Sequence, residues 1–94
     1  MNLNVTPSAR ADIRGIHEFI ARDDERTADT VVSRIRSLID TLLVLPMAGR
    51  AGRIEGTREW SIPGLPYFVV YALTSETDLD IVSVIHERWD YPFR

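Results

Sequence analysis

The chain has 94 residues, 45% hydrophobic and 27% charged, which suits one folded domain over residues 1–94 and excludes a largely disordered polypeptide. It has no cysteine, so disulfides, thiolate zinc sites and cysteine nucleophiles are excluded, as suits a reducing cytoplasm. The formal net charge of −3 argues against a general nucleic-acid binder, and all 11 basic residues are arginine, which removes any lysine base.

The opening Met1-Asn2-Leu3-Asn4-Val5 lacks the basic and apolar regions of a leader, and no apolar run approaches the ~20 residues that span a bilayer. The expected location is the cytoplasm. Asn2 to Thr6 reads as a short strand, with Leu3 and Val5 alternating with polar neighbours. Thr6-Pro7-Ser8 is a helix start, because threonine caps free N–H groups and proline suits the first helical position. Ala9, Ile13, Ile16 and Ile20 then form one apolar stripe. Arg22-Asp23-Asp24-Glu25-Arg26 interrupts the pattern and places acids where a second helix would carry its positive dipole end. That helix sets Ala28, Val31, Val32, Ile35, Ile39 and Leu42 on one side and stops before Pro46.

Pro46 to Arg53 has two glycines, two arginines and no period, and reads as a loop. Thr57 to Ile62 alternates as a strand with Trp60 and Ile62 in phase, and Pro63-Gly64-Leu65-Pro66 turns the chain. Tyr67 to Leu73 is nearly all apolar, as a central strand covered on both faces would be. Ser75 to Asp78 turns again, and Leu79 to Ile85 is the last strand. The order is β-α-α-β-β-β, an α+β domain with a helical hairpin packed on a small antiparallel sheet.

Gly49-Arg50, Gly56-Thr57-Arg58-Glu59, Tyr67-Phe68-Val69-Val70-Tyr71 and Ile81-Val82-Ser83-Val84-Ile85-His86-Glu87-Arg88 follow one another in the order of the RelE/ParE toxin pattern. The chain resembles that superfamily over nearly its whole length, although its basic residue follows the histidine by two places rather than three. The resemblance implies the toxin of a type II toxin–antitoxin module of the kind linked to plasmid stabilisation and growth arrest. It implies as partner a ParD-like ribbon-helix-helix DNA-binding antitoxin whose C-terminal part wraps the toxin.

Two activities compete within that resemblance. Relatives of the RelE type cut messenger RNA on the ribosome, which needs a base, an acid and a cation at the developing phosphorane. Relatives of the ParE type lack those groups and trap DNA gyrase on cleaved DNA. Pro66-Tyr67 stands where such nucleases carry a basic residue, so the departures favour gyrase as the target and a non-enzymatic toxin. The alternatives are a ribonuclease using His86, Arg58 and Arg88, and an inactive interaction module.

His86 is either a general acid or base or a strand-end residue whose ring bonds to backbone. His17 lies beside the first helix stripe as a partly exposed packing residue, and two distant histidines make no metal site. No cofactor is expected. Arg50, Arg53 and Arg58 surround Glu55 and Glu59, forming either a cationic rim or ordinary solvated ion pairs. By family position, that loop and the aromatic tail form the expected target-binding surface: Arg50, Arg53, Arg58, Arg88, Trp89, Tyr91, Phe93 and Arg94. The helical hairpin, through Ile13, Ile16, Ile20, Val31 and Ile35, together with Trp60, is the expected antitoxin surface. The tail beyond Glu87 is expected to be dispensable for folding, because the periodic apolar residues end before it.

Overall fold

A computed structural model describes residues 1–92, and its first helix begins where the sequence places a cap. The Thr6 hydroxyl accepts from the Ala9 N–H at 3.2 Å, with Pro7 following as the first helical residue of α1, Pro7–Ala21. The same hydroxyl donates to the Ile81 carbonyl at 2.8 Å, and the Thr6 N–H reaches that carbonyl at 3.1 Å. One residue therefore ends strand β1, Asn2–Val5, starts α1 and fastens both to the last strand.

Helix α2, Glu25–Val44, starts at Asp24, whose carboxylate accepts from the Arg26 and Thr27 N–H groups and from the Thr27 hydroxyl. Those bonds, the Thr27 hydroxyl foremost, hold the Asp24 carboxyl below the usual carboxylate range. The buried stripe of α2 is Ala28, Val31, Ile35, Leu38, Ile39 and Leu42. Val32 falls just off it and is only half-buried.

Both helices lie on one face of a five-stranded sheet in the order β1-β5-β4-β3-β2. Strands β3, Arg58–Ser61, β4, Tyr67–Leu73, and β5, Asp78–His86, form the antiparallel meander that the sequence predicts. Two features correct the expected sheet. Strand β1 runs parallel to β5, pairing Leu3 with Leu79 and Val5 with Ile81, so the sheet is mixed. That register points both apolar residues of β1 at the helices, which one step of slip would undo. The arginine-glycine loop also contributes a two-residue edge strand, β2, Arg50–Ala51, paired with Arg58 and Glu59.

Strand β4 is covered on both faces. Tyr67, Val69 and Tyr71 join the core beneath the helices, whereas Phe68 and Val70 belong to a smaller apolar cluster on the other face. In β5, Ile81 and Val84 share the helix side although three residues apart, which strict alternation forbids. A bulge resolves this: Val70 pairs with Ser83 and Tyr71 with Ile81, leaving Val82 as the extra residue.

Replacing Thr6 by valine removes the cap and the link to Ile81 while keeping the shape of the side chain. Urea unfolding should show a loss of about 1–2 kcal/mol for Thr6→Val and close to none for Thr6→Ser. Equal losses in both variants would show that the hydroxyl does not hold this corner.

Candidate functional site

The face of the sheet turned away from the helices carries an unusual residue next to its edge strand. Glu59 is 2% exposed and is the buried charged side chain among the described residues. It stands on β3 between Arg50 of β2 and Val70 of β4 in the direct cross-strand row. Burying a carboxylate is tolerable only when it is paired and hydrogen-bonded. Here Oε2 accepts from the Arg53 backbone N–H at 2.8 Å, and Oε1 accepts from Arg50 Nη2 at 3.1 Å. Arg53 Nε adds an ion pair at 3.6 Å. The two guanidinium groups remain partly in water, with their side chains 61% and 44% exposed for Arg50 and Arg53.

Arg53 then reaches across the apolar cluster of this face. Its guanidinium carbon lies 5.0 Å from the centre of the Phe68 ring and 5.6 Å from that of Tyr91, within cation–π range of both. Tyr91 meets Phe68 edge to face with ring centres 5.7 Å apart. Burial pushes the Tyr91 phenol up, the Glu59 charge adds to that, and Arg53 opposes it.

The loop can come this close because it carries glycine. A side chain at Gly49 would place Cβ 2.7 Å from the Tyr71 hydroxyl, and one at Gly52 would collide with Thr57. The Tyr71 ring is fully buried on the helix side. Its hydroxyl accepts from the Gly49 N–H at 2.9 Å and donates to the Pro46 carbonyl at 2.8 Å. Arg58 donates to the Gly49 carbonyl. By strand alternation Arg58 lies on the opposite face from Glu59, so Arg50 and Arg53 converge and Arg58 does not join them.

His86 closes β5 opposite Tyr67, with the two rings edge to face at 5.1 Å. Its Nδ1 accepts from the Arg88 N–H at 3.0 Å, and the Trp89 ring lies 5.9 Å away. The ring is thus bonded to backbone, as one of its two expected roles requires. The chain turns back here: Glu87 donates to the Pro66 carbonyl, Trp89 to the His86 carbonyl and Tyr91 to the Trp89 carbonyl. Trp89 remains 41% exposed and Arg88 is exposed, so both present surface in this last turn. Phe93 and Arg94 lie outside the described residues. His86 and Arg58 are not brought together, for they pair with Tyr67 and Tyr71, positions about 13 Å apart along β4.

The residues expected to meet an antitoxin are placed differently. Ile16, Val31 and Ile35 are buried between the helices and the sheet, with Ile13, Ile20 and Trp60 packed partly buried against the same core. The sheet needs that apolar stripe, so a partner would have to open the core to reach it. A surface groove of about 1000 Å³ lies between α1, α2 and β1, lined by Ile13 of the expected antitoxin set and, among others, by Leu3, Val5, Val32, Arg10, Arg14 and Arg36. His17 bonds Asp29 across its helical wall at 2.7 Å. Among the described residues no His, Cys, Asp and Glu group could hold a metal, and no helix is long and apolar enough to cross a membrane.

The sequence pointed to Glu59 only as a neighbour of arginines. Its parity is the further signal, since it alternates out of phase with Trp60 and Ile62 and must face away from the helices.

Residues 3–91 match the family model described as the ParE toxin of the type II toxin–antitoxin system parDE. A Sinorhizobium fredii (strain NBRC 101917 / NGR234) protein named "Putative toxin Y4kP" is 35% identical over 74 residues, which is 79% of this chain and 77% of that one. A solved structure titled "Chromosomal ParDE TA system from P. aeruginosa" superposes with a TM-score of 0.81 at 20% identity, covering 92% of this chain and 95% of that one.

Tyr91 covers Phe68, so the tail is not indifferent to folding. A chain ending after Glu87 should keep its strands but unfold at lower denaturant, with a loss of about 1–2 kcal/mol for the aromatic contact and its cover. An unchanged midpoint would show that the tail does not pack on this face.

Proposed function

The chain belongs to the ParE family of toxins of type II toxin–antitoxin systems, and from that we propose that it arrests growth in the cytoplasm by binding DNA gyrase until a ParD-like ribbon-helix-helix antitoxin neutralises it. The observation that carries this reading is the separation of Arg58 from His86, which leaves exposed Arg88 as the arginine next to that histidine. His86 spends Nδ1 on the Arg88 N–H, Arg58 is turned to the Gly49 carbonyl on the sheet's other end, and Arg50 and Arg53 are engaged by Glu59. A phosphorane needs its base, acid and cation at one point. What the open face offers is a protein-recognition surface of two half-wet arginines and Tyr91, and the same tail exposes Trp89 beside His86, residue types that concentrate binding energy at interfaces. Phe93 and Arg94, which follow in the sequence, are of the same residue types.

The antitoxin reading is supported by the groove between the hairpin and β1. Apolar Leu3, Val5 and Val32 beside Arg10, Arg14 and Arg36, which outnumber Asp29 and Asp40 in the same lining, suit an amphipathic segment carrying acidic residues.

In a supercoiling assay with purified gyrase, the chain should inhibit the enzyme and accumulate cleaved DNA, and added antitoxin should reverse both. Undisturbed supercoiling together with messenger-RNA cleavage on translating ribosomes would overturn the gyrase reading. His86→Gln should keep the inhibition while lowering stability by about 1 kcal/mol, as for one lost hydrogen bond. A folded His86→Gln chain without toxicity would favour the nuclease.

A further inference from the structure

The C-terminal turn is held on the open sheet face by an arginine that is itself held by a buried charge. The Arg53 guanidinium has two kinds of surface. Its N–H edge is directed at Glu59, with Nε 3.6 Å from Oε1, and its carbon lies within 5.0 Å and 5.6 Å of the Phe68 and Tyr91 ring centres. A planar guanidinium satisfies a carboxylate with its edge and aromatic rings with its face, which the compact ammonium of lysine cannot do. Glu59 also fixes where Arg53 starts, because its other oxygen accepts the Arg53 backbone N–H at 2.8 Å. Phe68, Val70 and Ile85 beneath are at most 4% exposed, with Tyr91 and Val82 packed against them.

We propose that Glu59 is a positioning residue that, through the Arg53 guanidinium, fixes Tyr91 on the open face so that the tail, exposed Trp89 included, meets its target already shaped. This rests on reading the tail as part of the target-binding surface. The charge of Glu59 is essential to it. A neutral amide of the same shape would still accept the Arg53 N–H but would not draw the guanidinium inward, and an arginine that is half-exposed would swing into water. The tail would then have to be ordered on binding, at the expense of affinity.

The test compares the isolated wild-type chain with Glu59→Gln, Arg53→Lys and Arg50→Gln by NMR. The readouts are the nuclear Overhauser contacts between the Tyr91 and Phe68 rings and the exchange protection of the Tyr91 N–H, alongside growth arrest on expression. Glu59→Gln and Arg53→Lys should lose the ring contacts and the Tyr91 protection and should weaken growth arrest, with β4 and β5 amides still protected. Arg50→Gln should keep the tail contacts, because Arg50 shares Glu59 but touches neither ring. If Glu59→Gln does not fold, Arg53→Lys decides alone, its side chain being half-exposed.

Retention of the ring contacts in Arg53→Lys, or their loss in Arg50→Gln, overturns the route through Arg53. Loss of the contacts with undiminished growth arrest overturns the positioning role. A wild-type chain that arrests growth without inhibiting gyrase sinks the target assignment alone, since the NMR contacts do not depend on which target is bound.

Discussion

A carboxylate taken out of water must be surrounded by donors, and that demand from Glu59 organises one whole side of the molecule. The charge sits where an apolar residue would ordinarily face the strip formed by Phe68, Val70 and Ile85. Donors have to come from the adjoining loop, because on the other side of the row Val70 and beyond it Ser83 offer no cation. The loop therefore closes against β3 as the short strand β2 and delivers Arg50 and the Arg53 backbone to the two carboxylate oxygens. Removing either arginine would leave a buried charge short of partners, which is far more costly than never having buried it.

The other face obeys a different rule. There the helices supply ordinary apolar cover, and the Tyr71 hydroxyl within it is satisfied by Pro46 and Gly49. Gly49 thus belongs to both faces: its N–H is held from the helix side while its successor Arg50 turns to the open side. The loop is pinned from above and below, which is how a glycine-rich segment without regular structure can present arginines in a fixed arrangement. A scaffold of this kind constrains the fold strongly and the function weakly, since function resides in what the loop and tail carry.

Much of this was legible in the sequence, and the limits are instructive. Thr6-Pro7 marked the start of α1 because capping is a local act, and Tyr67–Leu73 stood out as a central strand because both of its faces are apolar. The parallel pairing of β1 was not legible, for a four-residue alternating strand records which face is buried and not which neighbour it takes. Strand β2 is too short for any period, and the bulge at Val82 lies inside the apolar run Ile81-Val82-Ser83-Val84-Ile85, which hides the break in alternation. The apolar stripes of the helices were read correctly as stripes. The sheet covers Ile16, Val31 and Ile35 of those stripes, whereas Ile13 reaches the groove beside β1. Burial of Glu59 depends on contacts between β2, β3 and β4 that no local pattern encodes.

The arrangement of strands also constrains how such a toxin can be silenced. The groove beside β1 and the arginine pair near β2 lie at opposite edges of the sheet, four strand spacings or about 19 Å apart, and open on different faces. An antitoxin segment seated only in the groove would leave Arg53, Trp89 and Tyr91 uncovered. On the proposed reading, neutralisation by direct occlusion therefore requires a chain that continues around an edge of the sheet, and about six further extended residues are the least that can span the distance. A disordered segment that folds on contact meets that geometry better than a rigid domain, because it can follow two faces in turn while spreading its apolar and acidic groups over both.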